Sequence, residues 1–415
     1  MGSRSLSRPG PSRRRWLGAV LGTTALALAL LVTAGPGFSK SGSAADPIRL
    51  MTVASVNYNG PNFKNIHEAA RIYESWINAK GGIKGRKLEV TLCDDKGDAN
   101  IGAACAREAV EKKMVAVVGS FTFSGPKIMP ILESAKIPWF GICCPVDASE
   151  FSSKMSFPLG NGFAVVAGHA YMAAKICNKF NILNLDYPGA AFIEMLTKNI
   201  LKSLRQEAKF TGKHIKIPLE VGGDLAPAAR EVTSGADCVI AGLGEANWAA
   251  FLPALAQTGS KVQFFGAQGN LDAKVAGPYP ELTNNFIVTG MFPDIAKPVW
   301  KDYRAAIKTY KADPKQDYNS LGGLGTWAAY TAFNIIASGV KGNLTNVSFL
   351  NAANKTANLD TGGMVPKIDF TKDWTGLQGF NRLFNRAVTF QTIKNGKVVP
   401  WKPGFFDLTD ELQGK

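Results

Sequence analysis

The chain reads as an α/β protein with two parallel sheets, each covered by helices. Three observations carry that reading. Strand-like segments alternate with helical ones from residue 48 to residue 290, as parallel sheets require, because each crossover must bring the chain back over the sheet. The length beyond the leader, about 370 residues, exceeds what one ordinary hydrophobic core organises and suits two. Finally, Ile77 to Val90, INAKGGIKGRKLEV, joins a helix end, a glycine turn and a strand in one unit.

The first 45 residues contain Arg4, Arg8, Arg13, Arg14, Arg15 and Lys40 with no acid, and an apolar run from Trp16 to Ala34. That is the layout of an export signal. Ser43, Ala44 and Ala45 supply the small residues a signal peptidase accepts, so cleavage after Ala45 is expected. Ser12, Arg13, Arg14, Trp16 and Leu17 also resemble a twin-arginine signal, which leaves two export routes open. An uncleaved anchor is the competing reading, since the run is just long enough to span a bilayer. No cysteine follows the run, which argues against lipid attachment.

The mature chain opens on the strand IRLMTVAS, residues 48–55. Ile66, Ala69, Ala70, Tyr73 and Ile77 then fall at helical spacing, so one side of that helix can pack on a sheet. Gly81 and Gly82 stop it, because glycine reaches the left-handed conformation of a helix end without steric cost. Alternation of Leu88, Val90 and Leu92 predicts a strand that finishes at Cys93, Asp94 and Asp95. Further strands are expected at MVAVVGS (114–120), IPWFGIC (137–143), FNILNLD (180–186), IKIPLEV (215–221), DCVIAGL (237–243), VQFFGA (262–267) and NFIVTG (285–290). Near the end, AVTFQTI and KVVPW flank Asn395 and Gly396, a strong two-residue hairpin turn.

Cysteine usage fits an oxidising compartment. Cys93 ends a strand and Cys105 lies on the helix that packs back near it, so a local disulfide is expected. The pairing of Cys143, Cys144, Cys177 and Cys238 stays open. Without the six leader cations the formal charge falls from +15 to +9. The remaining lysines alternate with acids and most aromatics sit inside apolar runs, so nucleic acid is not expected as a partner.

The unit INAKGGIKGRKLEV, with MTVASV, CDDKGD and VAVVGS in order around it, resembles the signature of the leucine/isoleucine/valine-binding protein family, the periplasmic solute receptors of ABC importers for branched-chain amino acids and related ligands. The resemblance is strongest from Ile48 to Gly141 and weak near the C-terminus. It implies a type I periplasmic-binding fold whose chain crosses between lobes three times. Lobe 1 would hold 46–163 with 293–375, and lobe 2 would hold 164–292 with 376–415, after the signal peptide 1–45. It also implies a periplasmic or otherwise extracytoplasmic monomer that delivers a small molecule to an ABC permease and carries no cofactor.

In open parallel sheets small molecules bind beyond the carboxyl ends of strands, so the candidate site lies in the strand-end loops. Tyr58 follows the first strand, and Ser120, Phe123 and Ser124 follow the third. Ser124 precedes Pro126 and can cap a helix, present its hydroxyl to a ligand, or both. By resemblance the Phe123 backbone and Ser124 hold a ligand carboxylate, although Phe123 stands where the family commonly has serine. Val146 lies in Cys144–Ala148, the family's second ligand loop; Ala148 lacks the usual hydroxyl, and Asp147 is read as either a surface residue or a site charge. Tyr187 resembles the tyrosine that covers the ligand on closure, with a core role as its alternative. Gln268 occupies the place of an acid that pairs a ligand ammonium in amino-acid-binding members. Glu245 in the neighbouring loop would restore that charge; otherwise the ligand lacks an amine, as amides, urea-like solutes and aromatic acids do. Trp327 and Tyr330 mark a later cleft-edge helix, with Trp327 favoured as core.

Enzyme chemistry finds little support. His67, His169 and His214 are the only histidines, and neither HExxH nor CxxC occurs, so no metal site is expected. GxSxG is absent. Asp94 and Asp95 read as strand-end surface acids rather than an acid/base couple. GLGEAN from Gly242 and GLGTWA from Gly323 half-match a dinucleotide fingerprint, a weak case for a nucleotide-dependent enzyme. A sensor domain acting through a partner is the other rival to transport of an amino-acid-like or amide-like ligand.

Overall fold

The computed structural model describes residues 46–310, 313–314 and 316–415. The expected export signal and its cleavage point, residues 1–45, lie outside them. Among the described residues no helix is long and apolar enough to cross a membrane.

Two sheets organise the chain. The first is parallel, in the order β2-β1-β3-β4-β5, from β1 (Ile48–Ala54), β2 (Leu88–Asp94), β3 (Ala116–Val118), β4 (Trp139–Phe140) and β5 (Ser156–Phe157). The second has the order β12-β11-β10-β9-β8-β6-β7, with β6 (Phe180–Leu185), β7 (Phe210–Ile217), β8 (Cys238–Gly242), β9 (Gln263–Ala267), β10 (Ile287–Gly290), β11 (Ala387–Lys394) and β12 (Lys397–Asp407). Its strands β6 to β10 are parallel, and the β11–β12 hairpin adds antiparallel to β10. Asn395 and Gly396 turn that hairpin at φ 50° and 71°, the two positive values a tight primed turn demands.

Helix Lys64–Ala79 buries Ile66, Ala69, Ala70, Tyr73 and Ile77 against the first sheet and ends at Gly82, whose N–H returns to the Ile77 carbonyl at 2.9 Å. Gly82 sits at φ 77°, and a Cβ there would lie 1.9 Å from the Arg86 carbonyl oxygen, so only glycine fits. Segment 298–370 also packs with the first sheet. Helix Leu321–Gly339 lies in that core, where Trp327 stacks on Tyr303 at 4.8 Å and Tyr330 reaches Thr52 Oγ1 at 2.7 Å. Trp327 is therefore core. The second sheet carries buried clusters on both faces, led by Phe180, Ile182 and Ile240 on one side and Trp248, Phe251 and Phe264 on the other.

Three sequence expectations need correction. The strand expected at IKIPLEV begins earlier, at Phe210, and ends before Pro218, which lacks the N–H a ladder needs. β5 was not foreseen, being two residues long. Asp95 is fully buried rather than a surface acid: hydroxyls of Ser55 (2.5 Å), Thr122 and Ser124 (3.3 Å) and the Gly97 N–H (3.0 Å) all donate to it. That shell replaces the water an exposed carboxylate would hold.

All six cysteines are bonded: Cys93 to Cys105 with Cα atoms 5.9 Å apart, Cys177 to Cys238 at 6.1 Å, and the neighbours Cys143 and Cys144 to each other.

Candidate functional site

A cavity of about 110 Å³ opens where the carboxyl ends of the strands of both sheets face one another. The first sheet contributes Phe63 from the segment after β1, Phe121 and Phe123 after β3, and Cys143, Cys144 and Val146 after β4. From the second come Leu185 and Tyr187 at the end of β6, Ala241 to Gly244 at the end of β8, and Ala267 and Asn270 after β9. Helix Gly162–Ile176 presents Gly162, Val165, Val166 and His169, one face at i, i+3, i+4 and i+7.

Four rings form a continuous edge-to-face series along this wall. Phe63 meets Phe121 at 4.4 Å between centroids, Phe121 meets Phe123 at 5.4 Å, and Phe123 meets Tyr187 at 5.2 Å. Such pairs orient a positive edge on a negative face and hold the surface in one arrangement. Burial raises the pKa of the Tyr187 hydroxyl, keeping it a neutral phenol. His169 is fully buried, with Nε2 3.1 Å from the Gly266 carbonyl; that nitrogen therefore carries the proton. Burial lowers the pKa of His169 to about 3, so the imidazole is uncharged.

Of the residues singled out from sequence, Phe123, Val146 and Tyr187 line the cavity. The others lie elsewhere. Ser120 Oγ accepts from the Val53 N–H at 2.9 Å, beneath the loop. Ser124 stands at the helix start without a side-chain cap, its hydroxyl turned to Asp95. Tyr58 donates to Glu220 Oε1 at 3.0 Å; burial and then that carboxylate push the phenol up to about 12. Glu245 pairs with Lys274 at 2.8 Å in a separate outer groove. The Gln268 side chain is buried against Gly290, and its amide finds no partner among the described residues.

The second loop is held from behind. Glu150, fully buried, accepts from Trp139 Nε1 (2.9 Å) and the Val146 N–H (2.8 Å), while Asp147 caps helix Ala148–Ser152 in a reciprocal box with Glu150. Burial, and next the Asp147 charge, raise the Glu150 pKa well above the usual carboxylate range. Val146 thus offers the cavity its side chain, its amide being taken.

The sequence reading placed Phe121 in a candidate loop without assigning it a ligand contact, and it overlooked Phe63, His169 and the Cys143–Cys144 pair as wall residues. The helical spacing from Gly162 to His169 was the available signal for the histidine. For the adjacent cysteines, position after a strand end was the signal.

Across residues 56–397 the chain matches the family model described as periplasmic binding protein. The chain belongs to the periplasmic binding protein family. Solved structures share this binding protein's fold at low identity. One is a branched chain amino acid ABC transporter protein from Thermus thermophilus with bound valine (16% identity, TM-score 0.69, covering 88% of this chain and 97% of that one). Another is a solute binding protein of an ABC transporter from Rhodopseudomonas palustris BisB5 in complex with 3,4-dihydroxy benzoic acid (16%, TM-score 0.68, 87% and 97%). A third is a fatty acid ABC transporter substrate-binding protein from Thermomonospora curvata (19%, TM-score 0.65, 85% and 91%). No curated protein matches in sequence.

Proposed function

We propose that this binding protein is exported, captures a small organic solute of amino-acid or amide size between two lobes, and delivers it unchanged to the permease of an ABC importer. The lobes are 46–163 with 293–375 and 164–292 with 376–415. The observation that carries the reading is the cavity itself, walled by strand ends of both sheets, so that one solute touches both halves. Contacts made from both lobes favour the closed arrangement over the open one, which couples occupancy to the surface a permease meets. Family membership supports the same reading, and so do the ABC-transporter proteins that share the fold.

Phe123, Val146 and Tyr187 contact the solute in this proposal, while Tyr58 acts across the mouth by holding the lobes together. Native mass spectrometry of gently purified protein tests the function, with a retained small molecule expected. Scattering should show the radius of gyration falling when stripped protein is given that molecule back. A radius unchanged by every metabolite tested would sink the reading.

A further inference from the structure

The charge content of the cavity narrows the ligand, given the solute-binding reading above. None of its lining side chains is an Asp, Glu, Lys or Arg. Of the acids in neighbouring loops, Asp95 is engaged by three hydroxyls, Glu150 by Trp139 and the Val146 amide, and Glu245 by Lys274. Asp147 caps helix Ala148–Ser152 through Oδ1 and packs its Oδ2, unpartnered among the described residues, against Gly125, outside the cavity lining. The titratable groups on the wall, His169 and Tyr187, are both kept neutral by burial. An ammonium entering this space would leave water without meeting a carboxylate, and a buried charge without a partner is strongly disfavoured.

The remaining surface is suited to a ring. The series Phe63, Phe121, Phe123 and Tyr187 exposes aromatic faces and edges, and the Cys143–Cys144 bridge adds polarizable sulfur to the same wall. At about 110 Å³ the cavity is smaller than the roughly 150 Å³ apolar cavity that takes benzene, so it favours a ligand with no more than one ring. At the border Asn65 donates to Ser320 Oγ at 2.6 Å and keeps its Oδ1 without a partner among the described residues, which together with Asn270 supplies uncharged polar groups for one substituent.

We infer that the ligand is a compact, uncharged monocyclic aromatic of the phenol or arylamide class, and that zwitterionic amino acids are excluded. Calorimetric titration of the stripped mature protein at neutral pH with p-cresol, benzamide, benzoate, leucine and phenylalanine tests this. p-Cresol or benzamide should bind, with leucine and phenylalanine on the order of 100-fold weaker. Phe123→Leu, which keeps the site apolar but removes a ring, should weaken the neutral aromatic about 5-fold, and an unchanged circular dichroism spectrum would show that the variant folds. Binding of leucine, phenylalanine or benzoate as tightly as the neutral aromatics overturns the inference, as does binding of none of the five. Native mass spectrometry separates the two readings: a retained charged solute would overturn this inference and leave solute capture standing.

Discussion

The Tyr58 hydroxyl donates to Glu220 Oε1 at 3.0 Å, joining the loop after β1 to the segment after β7. One residue on, the Val221 N–H donates to the Asn59 carbonyl at 3.1 Å and Asn59 Nδ2 to the Val221 carbonyl at 3.3 Å. These bonds cross from the first-sheet side to the second without touching the cavity. Tyr58→Phe should therefore weaken solute affinity about 5-fold, near 1 kcal/mol for one hydrogen bond, through faster release. Stopped-flow dissociation measures it; an unchanged release rate would remove Tyr58 from the closing mechanism.

Acidification should destabilise the fold through its buried histidine. His169 has its pKa lowered from 6.5 to about 3, with burial as the leading cause. Between those values the unfolded chain binds a proton that the native state refuses. This contribution to stability is complete above about pH 6.5 and is lost as pH falls toward 3. Glu150, whose pKa is raised, acts with the opposite sign, its contribution being lost as pH rises above the ordinary carboxylate value. Melting temperature against pH, compared with a His169→Phe variant, isolates the histidine: the variant should show a shallower fall below pH 6.5, and parallel curves would refute the assignment.

Asp95 organises the loop that carries Phe121 and Phe123. Asp95→Ala leaves the Ser55, Thr122 and Ser124 hydroxyls and the Gly97 N–H without their acceptor. A loss of about 3 kcal/mol is expected on urea unfolding, together with weaker solute binding. Asp95→Asn, which keeps one acceptor oxygen, should lie between. A variant as stable as the parent would show that the buried shell is not structural.

The Cys177–Cys238 and Cys93–Cys105 disulfides should differ in their contribution. Cys177 and Cys238 are 61 positions apart in sequence, Cys93 and Cys105 only 12. Closing the longer loop removes more entropy from the unfolded chain, about 4 against about 3 kcal/mol in the chain-entropy picture. Serine pairs at each bridge, unfolded in urea, give the order; a reversed order would place the effect in native packing. Non-reducing peptide mapping should recover both links.

Much of the fold was legible because strands buried on both faces are written as apolar runs, as in FNILNLD and DCVIAGL, and because glycine marks where helix Lys64–Ala79 must stop. β7 was harder to locate: FTGKHIKI lies at a sheet edge, largely in contact with solvent, and carries little apolar signal. The cavity was legible as far as its loops. Which side chain of a loop faces inward depends on partners distant in sequence. Ser124 was a reasonable candidate hydroxyl until Asp95, 29 positions earlier, claimed it. Gln268 was read by position, and its neighbours Ala267 and Asn270 reach the wall instead.

Pairing of every cysteine has a practical consequence. In the absence of reductant the described chain offers no thiolate to mercurials or maleimides. Cysteines introduced one on each side of the cleft mouth would be the two points of dye attachment, and energy transfer between the dyes would then report opening and shutting in single molecules, without any native side chain being labelled.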